Sequence, residues 1–385
     1  MSASKQANPT TTRKAHSWAD RLPFNLAVLL LSLGATTAAR ADTILDWNEV
    51  LNEAITAQPV GPTEASRIMA MVNTAMYDAV NAIDMRHRSF VYTAAGVSVT
   101  ASKDAAAAQA ARDVLAAMYP ARTAVFDGAL AATLSQIVDS PDRTSGLQIG
   151  AQAANAMLAA RSGDGSSAMM THTVVNQPGH WQPSAPDFSS ALTPDWGAVT
   201  PFSIASGDQF RPAPPPSLTS AEYTAAFEEV KVYGAKDSAL RTADQTQMGI
   251  FWAYDVGTIG PPPVLYNQIT AVIAHNQQNT LEQNARLFAL TNIAQADAGI
   301  ATWEAKYHHD FWRPIAAIRL ADTDGNDATL ADPNWEPLGA PGDGIIADFT
   351  PPFPAYTSGH AAFGAAVMAM IREFYGTDEI AYHRL

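Results

Sequence analysis

The sequence contains no cysteine. That excludes disulfides, zinc thiolate sites, iron–sulfur clusters and a thiol nucleophile. Basic residues are scarce. The 23 Lys and Arg stand against 37 Asp and Glu, for a formal net charge of −14. Such a surface repels nucleic acid and anionic membranes, so neither is an expected partner. An anionic ligand would need a local cationic pocket, which makes the position of each Lys and Arg informative. Beyond the N-terminal region no apolar run reaches the ~20 residues needed to span a bilayer. No repeat of fixed period is present, which argues against a solenoid. Well-spaced alternating runs with hairpin turns are missing too, so strands are not expected. There is also no His-Glu-x-x-His, Walker loop, calcium loop or Gly-x-Ser-x-Gly.

What is there is apolar and helical. The chain has 385 residues, 47% of them hydrophobic, enough for one large core or two packed helical layers. The N-terminus reads as a targeting segment. Arg13, Lys14 and Arg21 form a basic region, and an apolar stretch centred on residues 26–31 follows. Ala39-Arg40-Ala41 then fits a small-x-small cleavage site. Residues 1–41 are therefore expected to be a signal peptide, and the mature protein to be secreted or periplasmic. Removing them leaves 18 basic and 36 acidic residues, a net charge of −18.

Helical periodicity covers most of the rest. Residues 44–57 are amphipathic and stop before Pro59. In residues 63–84, Ile68, Met71, Val72, Ala75, Met76 and Val80 recur at helical spacing. Ala-rich helices are expected at 103–118, 123–138 and 144–161. Residues 163–218 differ, being rich in Pro, Ser, Gly and Trp. A structureless stretch of that length is either functional or a wrap over the core. Trp181 and Trp196 favour a packed wrap. Thr219…Glu222, Thr242…Gln245 and Thr280…Gln283 then have the spacing of capping boxes. The last opens a long helix toward Lys306. Irregular residues 321–349 separate it from a final helix near 358–375. Asp322-Thr323-Asp324-Gly325-Asn326-Asp327 lacks the Glu of an EF-hand and reads as an acidic turn.

Two segments carry chemistry. The first is Trp303-Glu304-Ala305-Lys306-Tyr307-His308-His309-Asp310-Phe311-Trp312-Arg313-Pro314. Lys306 and Arg313 are seven apart, so on a helix both cations would project on one side. Pro314 disfavours helix at Arg313, so an irregular turn is also open there. An ammonium beside a guanidinium suits a tetrahedral oxyanion. The second is Pro351-Pro352-Phe353-Pro354-Ala355-Tyr356-Thr357-Ser358-Gly359-His360, which opens an apolar helix. A helix N-terminus offers free N–H groups and a positive dipole end. Ser358 supplies a hydroxyl, Gly359 a bare backbone, and His360 an acid–base group for neutral pH. Taken singly, each segment also has a plain reading: a basic helix end, and an N-cap followed by a surface histidine. His308 and His309 point about 100° apart on a helix, a poor metal pair. His172 and His180 lie in the wrap with no third ligand near them in sequence.

Together, in this order and spacing, the segments resemble the first two signature motifs of the vanadium-dependent haloperoxidase and type-2 phosphatidic acid phosphatase superfamily. Those motifs are Lys, six residues, Arg-Pro, and Pro-Ser-Gly-His; Thr357 stands in for the proline of the second. The match runs through residues 297–364 and is similar to the chloroperoxidase branch and its bacterial relatives in particular. Asp46-Trp47 and Met76-Tyr77-Asp78-Ala79-Val80-Asn81-Ala82 resemble the bacterial homologues more loosely. The resemblance implies an all-α helical bundle over residues 42–385. It implies that Lys306, Arg313, Ser358 and Gly359 hold the oxygens of vanadate or phosphate. His360 and Lys306 would be catalytic, and Trp303 and Phe353 would line a halide pocket, although as aromatics they equally suit a core.

The family's third motif supplies a second Arg and the His that binds vanadium or carries a phosphoryl group. It is expected a few dozen residues beyond Ser-Gly-His, whereas Leu385 lies only 25 residues past His360. Neither His383 nor Arg372 has the right context, so no metal ligand is assigned. The chain is accordingly expected to be a truncated product, an incomplete gene model or a degenerate paralogue. Three functions follow as expectations. The first is oxidation of halide by hydrogen peroxide at a bound vanadate. The second is hydrolysis of a phosphate monoester in the same pocket. The third is oxyanion binding without catalysis.

Overall fold

The computed structural model describes residues 42–94, 96–253, 260–339 and 350–380. The signal-peptide segment, His383 and part of the irregular stretch lie outside the described residues. Among them, helices are the only regular elements, joined by two isolated β-bridges. No described helix is long and apolar enough to cross a membrane.

The first five helices are α1 (Thr43–Ala57), α2 (Pro62–Asp84), α3 (Lys103–Met118), α4 (Thr123–Ser135) and α5 (Pro141–Arg161). Their boundaries follow local chemistry. Asp42 caps α1 by accepting from the Ile44 and Leu45 amides. Ser140 caps α5, whose first residue is Pro141, so that helix begins three residues earlier than its periodicity suggested. Further on come α6 (Ala221–Tyr233), α7 (Ala243–Trp252), α8 (Pro262–Asn276), α9 (Leu281–His309), α10 (Pro314–Arg319) and α11 (Gly359–Tyr375). Full capping boxes form at Thr242 and Thr280. The one expected at Thr219 does not. Ser220 is the cap and accepts from the Tyr223 amide. Either hydroxyl can serve, and the start of the helix shifts by one residue.

Helix α2 is the axle. Nearly all of its residues are buried, and it packs on α3, α5 and α9. Helix α9 carries α2 on one side and α11 on another. A ladder of buried amides ties four helices together. Asn48 and Asn73 exchange side-chain bonds at 2.9 and 3.0 Å, Asn267 donates to Asn48 at 2.9 Å, and Asn292 donates to Asn267 at 3.0 Å. A satisfied buried network of this kind fixes helix register, because slippage would strand its donors and acceptors.

Residues 163–218 wrap onto this bundle. Trp181 and Trp196 are 1% and 4% exposed. The wrap is pinned along α9 by residues at helical spacing. The Asp297 carboxylate accepts from the amides of Phe202, Ser203 and Ile204 at 2.7, 2.8 and 3.1 Å. Seven residues on, Glu304 pairs with Arg211. A second apolar cluster, containing Tyr223, Phe227, Trp312, Ile318 and Trp335, joins α6 to α10.

Candidate oxyanion site

The two chemistry-bearing segments meet, although not by the route their spacing suggested. Helix α9 ends at His309, and Asp310 takes a left-handed conformation with φ 49°. Arg313 is extended at φ −78°, ψ 152° and precedes α10. Lys306 and Arg313 therefore do not share one helix face. The residue before a proline avoids helical geometry, and Asp310 turns the chain instead.

The two cations still converge on one stretch of backbone. Lys306 is 1% exposed, and its ammonium donates to the Pro354 carbonyl at 2.8 Å and the Ala355 carbonyl at 3.2 Å. Arg313 Nε donates to the Phe353 carbonyl at 2.6 Å. The Ala355 amide donates back to the Phe311 carbonyl at 2.9 Å. Phe353 is gripped by both charges, with Lys306 Nζ 4.9 Å and Arg313 Cζ 4.6 Å from its ring centroid. Such placements over an aromatic face favour the cations. Trp303 packs on Phe353 at 5.0 Å between centroids, and both are buried.

A few residues later, Ser358 is the N-cap of α11 and accepts from the Ala361 amide at 3.3 Å. Gly359 opens the helix against the Trp303 ring; a Cβ there would stand 3.5 Å from that ring. His360 is half-buried, and its carbonyl accepts from the Tyr266 hydroxyl at 3.0 Å. Lys306, Arg313, Ser358, Gly359, Trp303 and Phe353 are thus tied into one neighbourhood by these contacts, and His360 follows in the same helical turn. His308 is exposed, and its ring lies 5.0 Å from that of His309. Arg372 is half-exposed on α11, near Glu373 and Asp378. Asp324 closes its acidic turn on the Asn326 amide and the Thr329 hydroxyl.

The sequence reading missed the clamp behind this site. Asp310 is 7% exposed. Its carboxylate faces His180 Nδ1 at 2.9 Å and His172 Nε2 at 3.2 Å, both from the wrap. Its carbonyl accepts from the Trp181 amide at 2.7 Å, and the Trp312 amide donates to Gly179 at 2.9 Å. The corner between the two cations is therefore held by residues 172–181. A further tie is the Leu192 carbonyl, which accepts from Trp303 Nε1 at 3.3 Å and the Tyr307 hydroxyl at 2.8 Å. Burial, more than the neighbouring charges, pushes the Tyr307 phenol well above its ordinary range, so it stays a neutral donor. Two histidines and an aspartate, of which even the nearer His180 lies 130 positions from Asp310, carry no local signal; only their meeting marks them.

The donor set suits a small oxyanion. It combines a buried ammonium, a guanidinium, a hydroxyl and the amide-rich start of a 17-residue helix. Vanadate and phosphate are both anions of this kind. Among the described residues no group of three or more His, Cys, Asp or Glu is placed to hold a bare metal ion.

Comparison with known proteins points the same way. Residues 286–384 match the family described as the VCPO second helical-bundle domain. Vanadium chloroperoxidase of Curvularia inaequalis is 37% identical over 228 residues, covering 53% of this chain and 36% of that protein. The chain thus spans about a third of the length of that relative. A crystal structure described as the first bacterial vanadium-dependent iodoperoxidase superposes with a TM-score of 0.73 at 23% identity, over 86% of this chain and 80% of the other. The holo form of a bacterial vanadium-dependent chloroperoxidase superposes with a TM-score of 0.61 at 17% identity, over 88% and 82%. At those identities the superpositions establish the shared all-α fold.

Proposed function

We propose that the chain is a vanadium-dependent haloperoxidase, whose oxyanion site holds vanadate and serves the oxidation of halide by hydrogen peroxide. The observation that carries this reading is the convergence of Lys306 and Arg313 on the 353–355 backbone, just ahead of the Ser358-capped start of α11. Lys306, Arg313, Ser358 and the Gly359 amide would hold the oxyanion. Bound vanadate supplies the activation of peroxide as a two-electron oxidant. The chain's own groups supply position and charge.

Each residue has a defined task in that scheme. Lys306 is buried, so its charge is poorly screened and acts strongly on an oxygen beside it. Arg313 offers a planar donor fork whose Nε is already oriented by the Phe353 carbonyl. His360, in the first turn of α11, gives and takes the protons that peroxide and water require. Trp303 and Phe353 present a dry aromatic surface beside the cations, suited to a weakly hydrated halide. The family's vanadium-binding imidazole is assigned to none of the described residues. The substrates are therefore small: halide and hydrogen peroxide, with a phosphate monoester as the competing possibility in the same pocket. A secreted or periplasmic location is part of the proposal.

Calorimetry with orthovanadate and with inorganic phosphate tests the site directly. Both should bind, and Lys306→Met should weaken both by about 10- to 100-fold, the value of one charge-assisted hydrogen bond. Equal affinity in a folded Lys306→Met protein would remove the ammonium from the site. Bromination of a phenol dye with vanadate and peroxide, set against turnover of p-nitrophenyl phosphate, separates the readings. Dye bromination supports the proposal. Ester turnover alone assigns a phosphatase, and anion binding with neither activity leaves a binding protein.

A further inference from the structure

The cations share a wall with an apolar cavity that oxyanion chemistry does not use. Its volume is about 220 Å³. Pro215 of the wrap, Tyr223 and Phe227 of α6, Phe311, Trp312 and Tyr356 are among the residues that line it, and no charged residue is among the lining groups. The cavity lies one residue from the site. Ala355 lines it, and the Ala355 carbonyl accepts from Lys306 Nζ at 3.2 Å. Phe311 and Trp312 fill the two positions before Arg313. The cavity is therefore built from the same two segments that carry the anion donors.

Its walls are set in advance. The Tyr223 and Phe311 rings meet edge to face, 6.4 Å apart at 88°. Tyr223, Phe227 and Trp312 are each at least nine-tenths buried in the α6–α10 cluster. The Tyr356 hydroxyl is fixed to the Ala213 carbonyl at 2.9 Å. Rings held this way offer flat surfaces at little entropic cost, as small-molecule sites do. Size narrows the occupant. A dry cavity of ~150 Å³ holds benzene, and drug-sized ligands need ~300 Å³ or more. A helix or an extended peptide is too large. One or two fused aromatic rings fit, and the carbon-lined wall disfavours a charged molecule.

We propose that this cavity binds a small neutral arene, which accepts the oxidised halogen formed at the neighbouring site. The binding half stands on the cavity alone, whereas the acceptor half rests on the haloperoxidase reading. The chemistry balances. Halide gives up two electrons to hydrogen peroxide, which becomes two waters by taking up two protons. A carbon–halogen bond then replaces a carbon–hydrogen bond, and the displaced proton returns one of those two. Arene, halide, peroxide and one proton thus give haloarene and two waters. Binding the acceptor one residue from the cations lets the oxidised halogen be captured before it diffuses away.

Indole is the probe. Saturation-transfer NMR and calorimetry should show indole bound by the wild-type protein without vanadate, and benzenesulfonate bound at least tenfold more weakly. Ala226 and Val230 line the cavity from exposed positions on α6, so the fold tolerates changes there. Ala226→Trp fills the space and Val230→Lys puts a charge at its edge. Both should weaken indole at least tenfold and leave orthovanadate affinity and Tm unchanged. No indole binding by wild type, equal binding by both variants, or benzenesulfonate bound as tightly as indole would overturn the binding half. A wild-type dimer that Ala226→Trp converts to monomer would assign the cavity to a second copy instead. With bromide, peroxide and vanadate, Ala226→Trp should lower indole bromination relative to total bromide oxidation by at least fivefold. An unchanged ratio refutes the acceptor half. If wild type oxidises no bromide, the acceptor half falls with the haloperoxidase reading, while the indole titration still decides the binding half.

Discussion

Asp310 offers the sharpest test of how the site is held. It sits in left-handed geometry at the end of α9, with its carboxylate between His172 and His180 and its carbonyl on the Trp181 amide. Three substitutions separate these jobs. Asn tolerates the left-handed conformation and keeps one acceptor oxygen, so Asp310→Asn should cost ~1 kcal/mol. Ala loses the acceptor and adds strain. A hydrogen bond to a charged group contributes ~1.5–3 kcal/mol, and left-handed strain adds ~1 kcal/mol; His180 is partly exposed, which lowers the first figure. Asp310→Ala should therefore cost ~2–4 kcal/mol. Asp310→Gly also loses the carboxylate but relieves the backbone, so it should be ~1 kcal/mol milder than Ala. Equilibrium unfolding in urea reads the order Asn, Gly, Ala. Hydrogen exchange at the Trp181 and Trp312 amides should rise in the same order. If the Ala variant loses less than ~0.5 kcal/mol, or if Gly is worse than Ala, the clamp does not act as described.

Other perturbations test the scaffold and the chemistry. A Cβ at Gly150 would lie 2.3 Å from the Ala106 carbonyl oxygen, where α5 crosses α3, so Gly150→Ala should lower stability by ~1–3 kcal/mol in a thermal melt. Asn267→Leu removes the hub of the buried amide ladder and leaves Asn292 with only the Phe288 carbonyl to donate to; a loss of ~2–4 kcal/mol in urea is expected. Burial opposes ionisation of Glu282, but the Lys103 ammonium and nearby donors overcome it and hold its carboxyl down at about 2. A depressed carboxyl stabilises the fold above the ordinary pKa of 4.5, and that contribution fades as pH falls toward 2. Glu282→Gln should thus be less stable than wild type by ~1 kcal/mol at pH 7, after allowance for solvent screening, and the gap in urea midpoint should shrink below pH 4.5. A gap that widens with acid would reverse the argument. His360→Ala should abolish halide oxidation with no change in Tm, since that side chain is half-buried at a helix start; near-wild-type turnover would take His360 out of the proton steps.

Much of the helical frame is legible in the sequence because its signals are local. Hydrophobic spacing marks α2, and Thr242 and Thr280 mark helix starts through their capping boxes. The choice between Thr219 and Ser220 is not legible, since adjacent hydroxyls compete with nearly equal energy. The short α10 is also hidden, because six residues give too little period to register against the preceding Arg-Pro. Lys306, Arg313, Ser358 and His360 can be named from spacing and resemblance, but the way the cations meet cannot. Seven-residue spacing suggests a shared helix face; the actual arrangement is a helical Lys306, a left-handed Asp310 and an extended Arg313.

That difference bears on what positions the donors. A helix face would hold two cations in register by itself, through covalent geometry. A broken corner cannot, because each of its turns is free to open unless something outside it closes the hydrogen bonds. Here two outside segments do so. The 353–355 carbonyls hold the charged heads, and residues 172–181 hold the backbone between them. The Asp310–His180 contact spans 130 positions and the Lys306–Pro354 contact spans 48. Precision at the candidate site is therefore a tertiary property of the wrap as much as of the motif. A chain that kept Lys306, Arg313 and Ser-Gly-His but lost the wrap's hold on Asp310 would keep the right groups in the wrong places, where a displacement of ~1 Å costs on the order of 100-fold in rate.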